Sequence, residues 1–360
     1  METAASTQVW REPVRGAYPD PAVLALSGRE RLERWLRREW RAPPLTHLTG
    51  GRPTSVGDGT ADAELPASGW LVNSAGLITG GTLAMLADVA FGCAVETKLP
   101  PATPYTTAEL SLTFLRPARP GTTLTAHGQA IHVGRTLGLS EAFLIDPRDE
   151  RLIAHGTSRM AILPSVEAPL EAPGEPGPLP PAPERPDPYQ RPAPKGRVVA
   201  QGDWDELPGR EVLERQIAGE LPPPPIHDLT GISLVAVGEG EATMRLPATE
   251  WLNSPTGLLQ GGVLAMLADT TMLSAVATTA PAGTAIAGVD LKVNYLRPAP
   301  ADGRDLVATA AVEHAGRTLA VSNARVQNGD GKPVVLATGT AMYLPGRPAS
   351  LGPEVELSGT

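Results

Sequence analysis

The sequence predicts an α+β protein built from two tandem copies of one unit, each an antiparallel sheet packed against a single buried helix. Three observations lead there: a repeat at a fixed offset, one nearly all-apolar helical stretch per copy, and short alternating runs after each stretch. Trp70 to Asp88 reads WLVNSAGLITGGTLAMLAD and Trp251 to Asp269 reads WLNSPTGLLQGGVLAMLAD, 12 identities in 19 positions at an offset of 181. The same offset aligns Leu48-Thr49-Gly50 with Leu229-Thr230-Gly231, Leu65-Pro66-Ala67 with Leu246-Pro247-Ala248, and Leu115-Arg116-Pro117-Ala118 with Leu296-Arg297-Pro298-Ala299. At 182, Gly134-Arg135-Thr136-Leu137 meets Gly316-Arg317-Thr318-Leu319. Chance does not hold register over so many blocks. The copies run over 28–164 and 209–345, with a proline-rich linker at 165–208.

The elements follow in order. Arg29 to Glu39 sets Leu32, Trp35 and Leu36 among charges, the pattern of an amphipathic surface helix. Gly57-Asp58-Gly59, and Gly238-Glu239-Gly240 in the second copy, mark a hairpin turn between strands. Gly81 to Thr97 is apolar nearly all round, which predicts a helix buried on most sides. Runs at 105–116, 122–133, 135–146 and 151–163 then predict strands, with Leu110, Leu112 and Phe114 alternating with Ser111 and Thr113. Between the copies, 169–194 holds 11 prolines in 26 positions. An extended tether of that kind reaches roughly 80 Å at ~3.1 Å per residue, enough for the copies to lie side by side.

Composition narrows the function. The 360 residues carry a formal net charge of −9 and no cationic run, which argues against a nucleic-acid partner. The single cysteine, Cys93, leaves no intramolecular disulfide and no cysteine-based zinc site, and no His/Asp/Glu cluster has metal-ligand spacing. Met1 to Pro13 contains Glu2 and lacks an apolar core, so no secretory leader is expected. Gly257 to Ala280 is long enough for a bilayer but contains Asp269 at its middle, so no membrane association is expected and the expected location is cytoplasmic.

Asp88 is the only charged side chain between Ile78 and Val95, and Asp269 the only one between Leu258 and Ala280. A carboxylate on a buried helix is costly unless hydrogen-bonded. It is either satisfied structurally by backbone amides or serves as a general base or nucleophile. Gly80-Gly81 and Gly261-Gly262 sit where each helix begins, where free amides carry partial positive charge and a ligand can approach the backbone. That is oxyanion-hole chemistry, although a Gly-Gly pair also serves turns and close packing. Eight residues of helix rise ~12 Å, so one helix cannot bring its own Asp and its own first turn to one carbonyl. Two antiparallel helices can, which predicts active sites shared between the copies.

These motifs resemble the hotdog-fold acyl-CoA thioesterases of the phenylacetate-pathway (PaaI-like) type, over roughly 270 of the 360 residues. The resemblance implies two tandem hotdog domains, each a curved antiparallel sheet around a central helix, paired as a double hotdog. It implies an acyl-CoA or acyl-carrier thioester as substrate, hydrolysed to acid and thiol, with no cofactor beyond the substrate's coenzyme A. It also implies that a homodimer of double hotdogs can form. By analogy one site combines Asp88, Thr107, Gln260, Gly261 and Gly262, and the other combines Asp269, Gly80, Gly81 and Asn73. The family's motif His is Thr79 in the first copy and Gln260 in the second, where a Gln amide can still donate to a carbonyl. The position of Thr107 is Gly288 in the second copy, and the register of Asn73 gives Ser254. The two sites should therefore be unequal, with the Asp88 site better equipped. His132, His314, Arg135 and Arg317, beside the Gly-Arg-Thr-Leu blocks, read first as strand and turn residues and second as CoA-phosphate contacts. Two other readings stay open: a non-catalytic acyl-CoA or acyl-carrier binding module, and a hotdog dehydratase or hydratase, which would want a His that the Gly-Gly motif lacks.

Overall fold

A computed structural model describes residues 8–166 and 185–350. The first copy contains α1 (Gly28–Leu36), α2 (Pro44–Thr49), β1 (Arg52–Val56), β2 (Thr60–Pro66), α3 (Gly80–Glu96), β3 (Tyr105–Phe114), β4 (Thr123–Val133), β5 (Leu137–Asp146) and β6 (Arg151–Ile162). After a short α4 (Gln201–Glu206), the second contains α5 (Gly209–Ala218), α6 (Pro225–Thr230), β7 (Ser233–Gly238), β8 (Glu241–Pro247), α7 (Gly261–Ala277), β9 (Thr284–Tyr295), β10 (Asp305–Ala315), β11 (Leu319–Gln327) and β12 (Pro333–Pro345).

The strands pair antiparallel throughout, in one sheet of order β1-β2-β4-β5-β6-β3-β9-β12-β11-β10-β8-β7. The two copies join where β3 meets β9, with Leu110 opposite Val293 and Leu112 opposite Leu291. The period-two pattern of β3 explains the join: Leu110 and Leu112 are buried on the helix side.

The central helices are capped differently. The Thr79 hydroxyl accepts from the Thr82 amide at the start of α3, whereas Gln260 makes no side-chain cap on α7. Both helices are buried nearly all round, inside their own half-sheet and against each other. Gly81 faces Met266 and Asp269, and Gly262 faces Met85, so the helices run antiparallel with their first turns crossed. A Cβ on Gly81 would lie 2.4 Å from the Met266 Cα, and one on Gly262 would lie 2.4 Å from the Met85 Cα. Only glycine permits backbones to approach this closely.

The linker is more than a spacer. Its residues 167–184 lie outside the described residues, but 185–199 dock onto the first copy, with Val199 and Ala193 buried. Trp70 donates through Nε1 to the Arg191 carbonyl at 2.8 Å, while Trp251 donates through Nε1 to the Glu12 carbonyl at 3.0 Å. Arg191 Nη1 in turn donates to both Glu12 carboxylate oxygens, at 2.7 and 2.8 Å. Thus the segment ahead of each copy straps the tryptophan of the other copy's neighbourhood, and the two straps are paired to each other.

Candidate active site

The crossing of α3 and α7 creates two sites, each drawing on both copies. In the first, α3 supplies Asp88, which is 8% exposed. The Gly262 amide at the start of α7 donates to Asp88 Oδ2 at 3.1 Å, and the Thr107 hydroxyl on β3 donates to Oδ1 at 3.0 Å. In the second, α7 supplies Asp269, and the Gly81 amide of α3 donates to its Oδ2 at 2.7 Å. Gly288 takes the place of Thr107 there and offers no hydroxyl.

The electrostatics differ accordingly. Burial raises both carboxyls, because desolvation disfavours the charged form. For Asp88, the Thr107 hydroxyl and the Gly262 amide oppose that rise. For Asp269 only the Gly81 amide does, and its pKa is pushed up to about 7. One residue before each bonded amide, the Gly80 and Gly261 amides have no hydrogen-bond partner among the described residues. They are first-turn amides aligned with the positive end of the helix, suited to polarising a carbonyl.

Several sequence-derived residues sit differently from their expected use. The Gln260 Nε2 gives one of its two hydrogens to the Met85 carbonyl at 3.3 Å, so one is left for a substrate carbonyl. Asn73 turns its Oδ1 onto its own loop, accepting from the amides of Ala75 and Leu77 at 2.9 and 3.0 Å. It caps that loop rather than joining Asp269, and Ser254 does the same weakly in the second copy. The Thr79 hydroxyl is used up in capping α3, where it also meets the Thr82 hydroxyl.

His132, Arg135, His314 and Arg317 are exposed and make no ion pair among the described residues. They lie at the β4–β5 and β10–β11 hairpins. Register carries the first hairpin to the site's end of the sheet: Thr107 pairs with Met160, and Met160 pairs with Gly138. No cluster of three or more His, Cys, Asp or Glu fit for a metal occurs among the described residues.

Two residues not singled out from the sequence complete the picture. Phe114 and Tyr295 close β3 and β9 at the 181 offset, directly before the Leu-Arg-Pro blocks, which was the available signal. The Phe114 ring comes within 2.5 Å of where a Cβ on Gly80 would be and 3.6 Å of one on Gly288. It therefore fills the slot between the first amide of α3 and the missing hydroxyl. Tyr295 instead places its hydroxyl on the Gly261 carbonyl at 2.8 Å. On the Asp88 side a cavity of about 40 Å³ lies beside the site, lined by Thr46, Gly51, Met85, Leu86, Val89 and Gln260. At the 181 offset Thr46 becomes His227 and Gly51 becomes Ile232, which is buried.

Comparison with known proteins bears on what such a pair of sites does. The model of the Thioesterase superfamily matches residues 75–152 and 256–335, once in each copy. A Pseudomonas aeruginosa protein described as an esterase is 32% identical over 145 residues, 39% of this chain and 94% of the relative. The 1,4-dihydroxy-2-naphthoyl-CoA hydrolase of Listeria monocytogenes is 29% identical over 96 residues, 27% of this chain and 76% of that protein. Both relatives match over about one copy. The TesB protein of Mycobacterium avium subsp. paratuberculosis has a similar fold over both copies, with a TM-score of 0.53 at 16% identity, covering 84% of this chain and 98% of its own.

Proposed function

This chain belongs to the Thioesterase superfamily, and from that premise we propose that it hydrolyses an acyl-CoA thioester to free acid and CoA at the Asp88 site. The observation that carries the proposal is the crossed contact of Gly262 with Asp88, which sets a base from one copy beside the helix N-terminus of the other. The thioester carbonyl oxygen would be polarised by the Gly261 amide, the first-turn amide that the protein leaves free. Asp88 would draw a proton from the attacking water, with the Thr107 hydroxyl fixing its carboxylate. Attack breaks the C–S bond, and the thiol leaves with a proton. No cofactor takes part beyond the coenzyme A of the substrate. The exposed Arg135 and His132 on the hairpin nearest Thr107 would meet the CoA phosphates.

The Asp269 site supports this chemistry less well. It lacks the hydroxyl, and Phe114 fills its slot. Thiol release over a panel of aliphatic and aromatic acyl-CoAs tests the proposal. The wild type should turn over at least one of them, and the Asp88→Ala/Asp269→Ala double variant none. Undiminished release in the double variant would overturn the assignment.

A further inference from the structure

We infer that Tyr295 is a positioning residue that sets the basicity of Asp88 through the peptide group joining Gly261 to Gly262. The inference rests on the reading of Asp88 as the base, and on four atoms in sequence. The Tyr295 hydroxyl donates to the Gly261 carbonyl at 2.8 Å; that oxygen cannot donate, so the direction of the bond is fixed. The N–H at the other end of the same peptide plane is that of Gly262, which donates to Asp88 Oδ2 at 3.1 Å. A donor on a carbonyl withdraws electron density from the amide and makes its N–H a stronger donor, the usual cooperativity of hydrogen-bond chains. The Gly261 carbonyl has a second lone pair for the helix, so the tyrosine bond adds to the helical one. Tyr295 thus favours the carboxylate form of Asp88 without touching it.

The second site is the internal control. There the matching peptide joins Gly80 to Gly81, and the matching ring is Phe114, which has no hydroxyl to give. The Gly81 amide donates to Asp269 at 2.7 Å with no second donor on that carboxylate among the described residues, whereas Asp88 is held by Thr107 as well as Gly262. The other titratable groups coupled to Asp88 are Cys93 on its own helix, Tyr105 on β3 and Tyr295 itself on β9. Burial pushes each of the three well up, so none of them gains charge where a carboxylate titrates. No cation is among the groups acting on Asp88. Its basicity is therefore left to burial, Thr107 and the polarised peptide.

The test is Tyr295→Phe, which keeps the ring and removes the hydroxyl, with Thr107 intact. The acid limb of the kcat/KM–pH profile should move up by about half to one pH unit, a loss of roughly 3- to 10-fold well below the pKa. At high pH activity should return to within about two-fold of wild type, with KM unchanged. Carbon-detected NMR titration of the Asp88 carboxyl reads the same shift directly and does not depend on turnover. It separates failure of this inference from failure of the thioesterase reading. Phe114→Tyr should move the Asp269 carboxyl the opposite way. An unmoved Asp88 titration in folded Tyr295→Phe protein, or a pH-independent loss of activity, would overturn the inference.

Discussion

The two sites of this molecule share a repeat but differ in the residues around the same carboxylate. Asp88 is held by Thr107 and by Gly262, whose peptide carries a tyrosine hydroxyl; Asp269 is held by Gly81 alone. A glycine replaces the threonine, a phenylalanine replaces the tyrosine and fills the gap, and Ile232 and His227 stand where Gly51 and Thr46 border the other site's cavity. Burial is nearly the same for both carboxyls, so it does not decide which one is ionised. Local donors do. Burying a carboxyl costs little if it stays protonated, and Asp269 with one donor has drifted in that direction. Asp88 keeps two donors that hold it nearer the ionised form.

The largest effect should come from splitting the pair. Asp88→Asn should cut kcat/KM by about 10²- to 10⁴-fold, the range for removing a general base, and Asp269→Asn should leave it within about three-fold. Equal losses measured by thiol release would break the comparison.

The second effect is on stability and has a defined pH direction. The Asp269 carboxyl titrates near 7 in the folded chain, above its ordinary value of 3.8. Its contribution is fully present below pH 3.8 and is lost as pH rises through 7, because the unfolded chain releases the proton more readily. Asp269→Asn should therefore be more stable than wild type at pH 8, by up to about 4 kcal/mol in urea titration, with the gain vanishing near pH 4. A gain independent of pH would show that Asp269 does not titrate in this range.

Third, Gly262→Ala should destabilise by about 3 kcal/mol in urea titration, since its Cβ meets the Met85 backbone rather than a movable side chain. Gly81→Ala should cost as much, because the crossing is symmetric even though the chemistry is not. A large difference between the two would relocate the asymmetry to the backbone. The smallest effect sharpens the comparison: at Gly288 a Cβ meets only ordinary contacts, the nearest being the Phe114 ring at 3.6 Å, so Gly288→Thr is made together with Phe114→Leu to clear the slot. The added hydroxyl should lower the Asp269 titration by about one pH unit, seen by NMR.

Much of this was readable in the sequence because the repeat exposes what one copy alone would hide. A lone Asp in an apolar helix, eight residues from a Gly pair, is ambiguous; written twice, it requires antiparallel partners on geometric grounds. The strands of each half-sheet follow from their alternation. The rest depends on tertiary contacts that leave no local pattern. Nothing in the residues around Asn73 distinguishes a side chain turned onto its own loop from one turned into the site. The engagement of Gln260 depends on Met85 in the other copy, 175 positions away. Phe114 and Tyr295 end their strands with no local mark of a role, and only the crossing of the helices gives the tyrosine hydroxyl a carbonyl to meet. The straps at 185–199 read as linker because their partners, Trp70 and Glu12, lie far away in sequence.

On the proposed function each chain has one working site, built from Asp88 and the first turn of α7. Calorimetric titration with a non-hydrolysable thioether analogue of the best-hydrolysed acyl-CoA measures this most directly. One equivalent should bind per chain; two equivalent sites per chain would contradict a single working site.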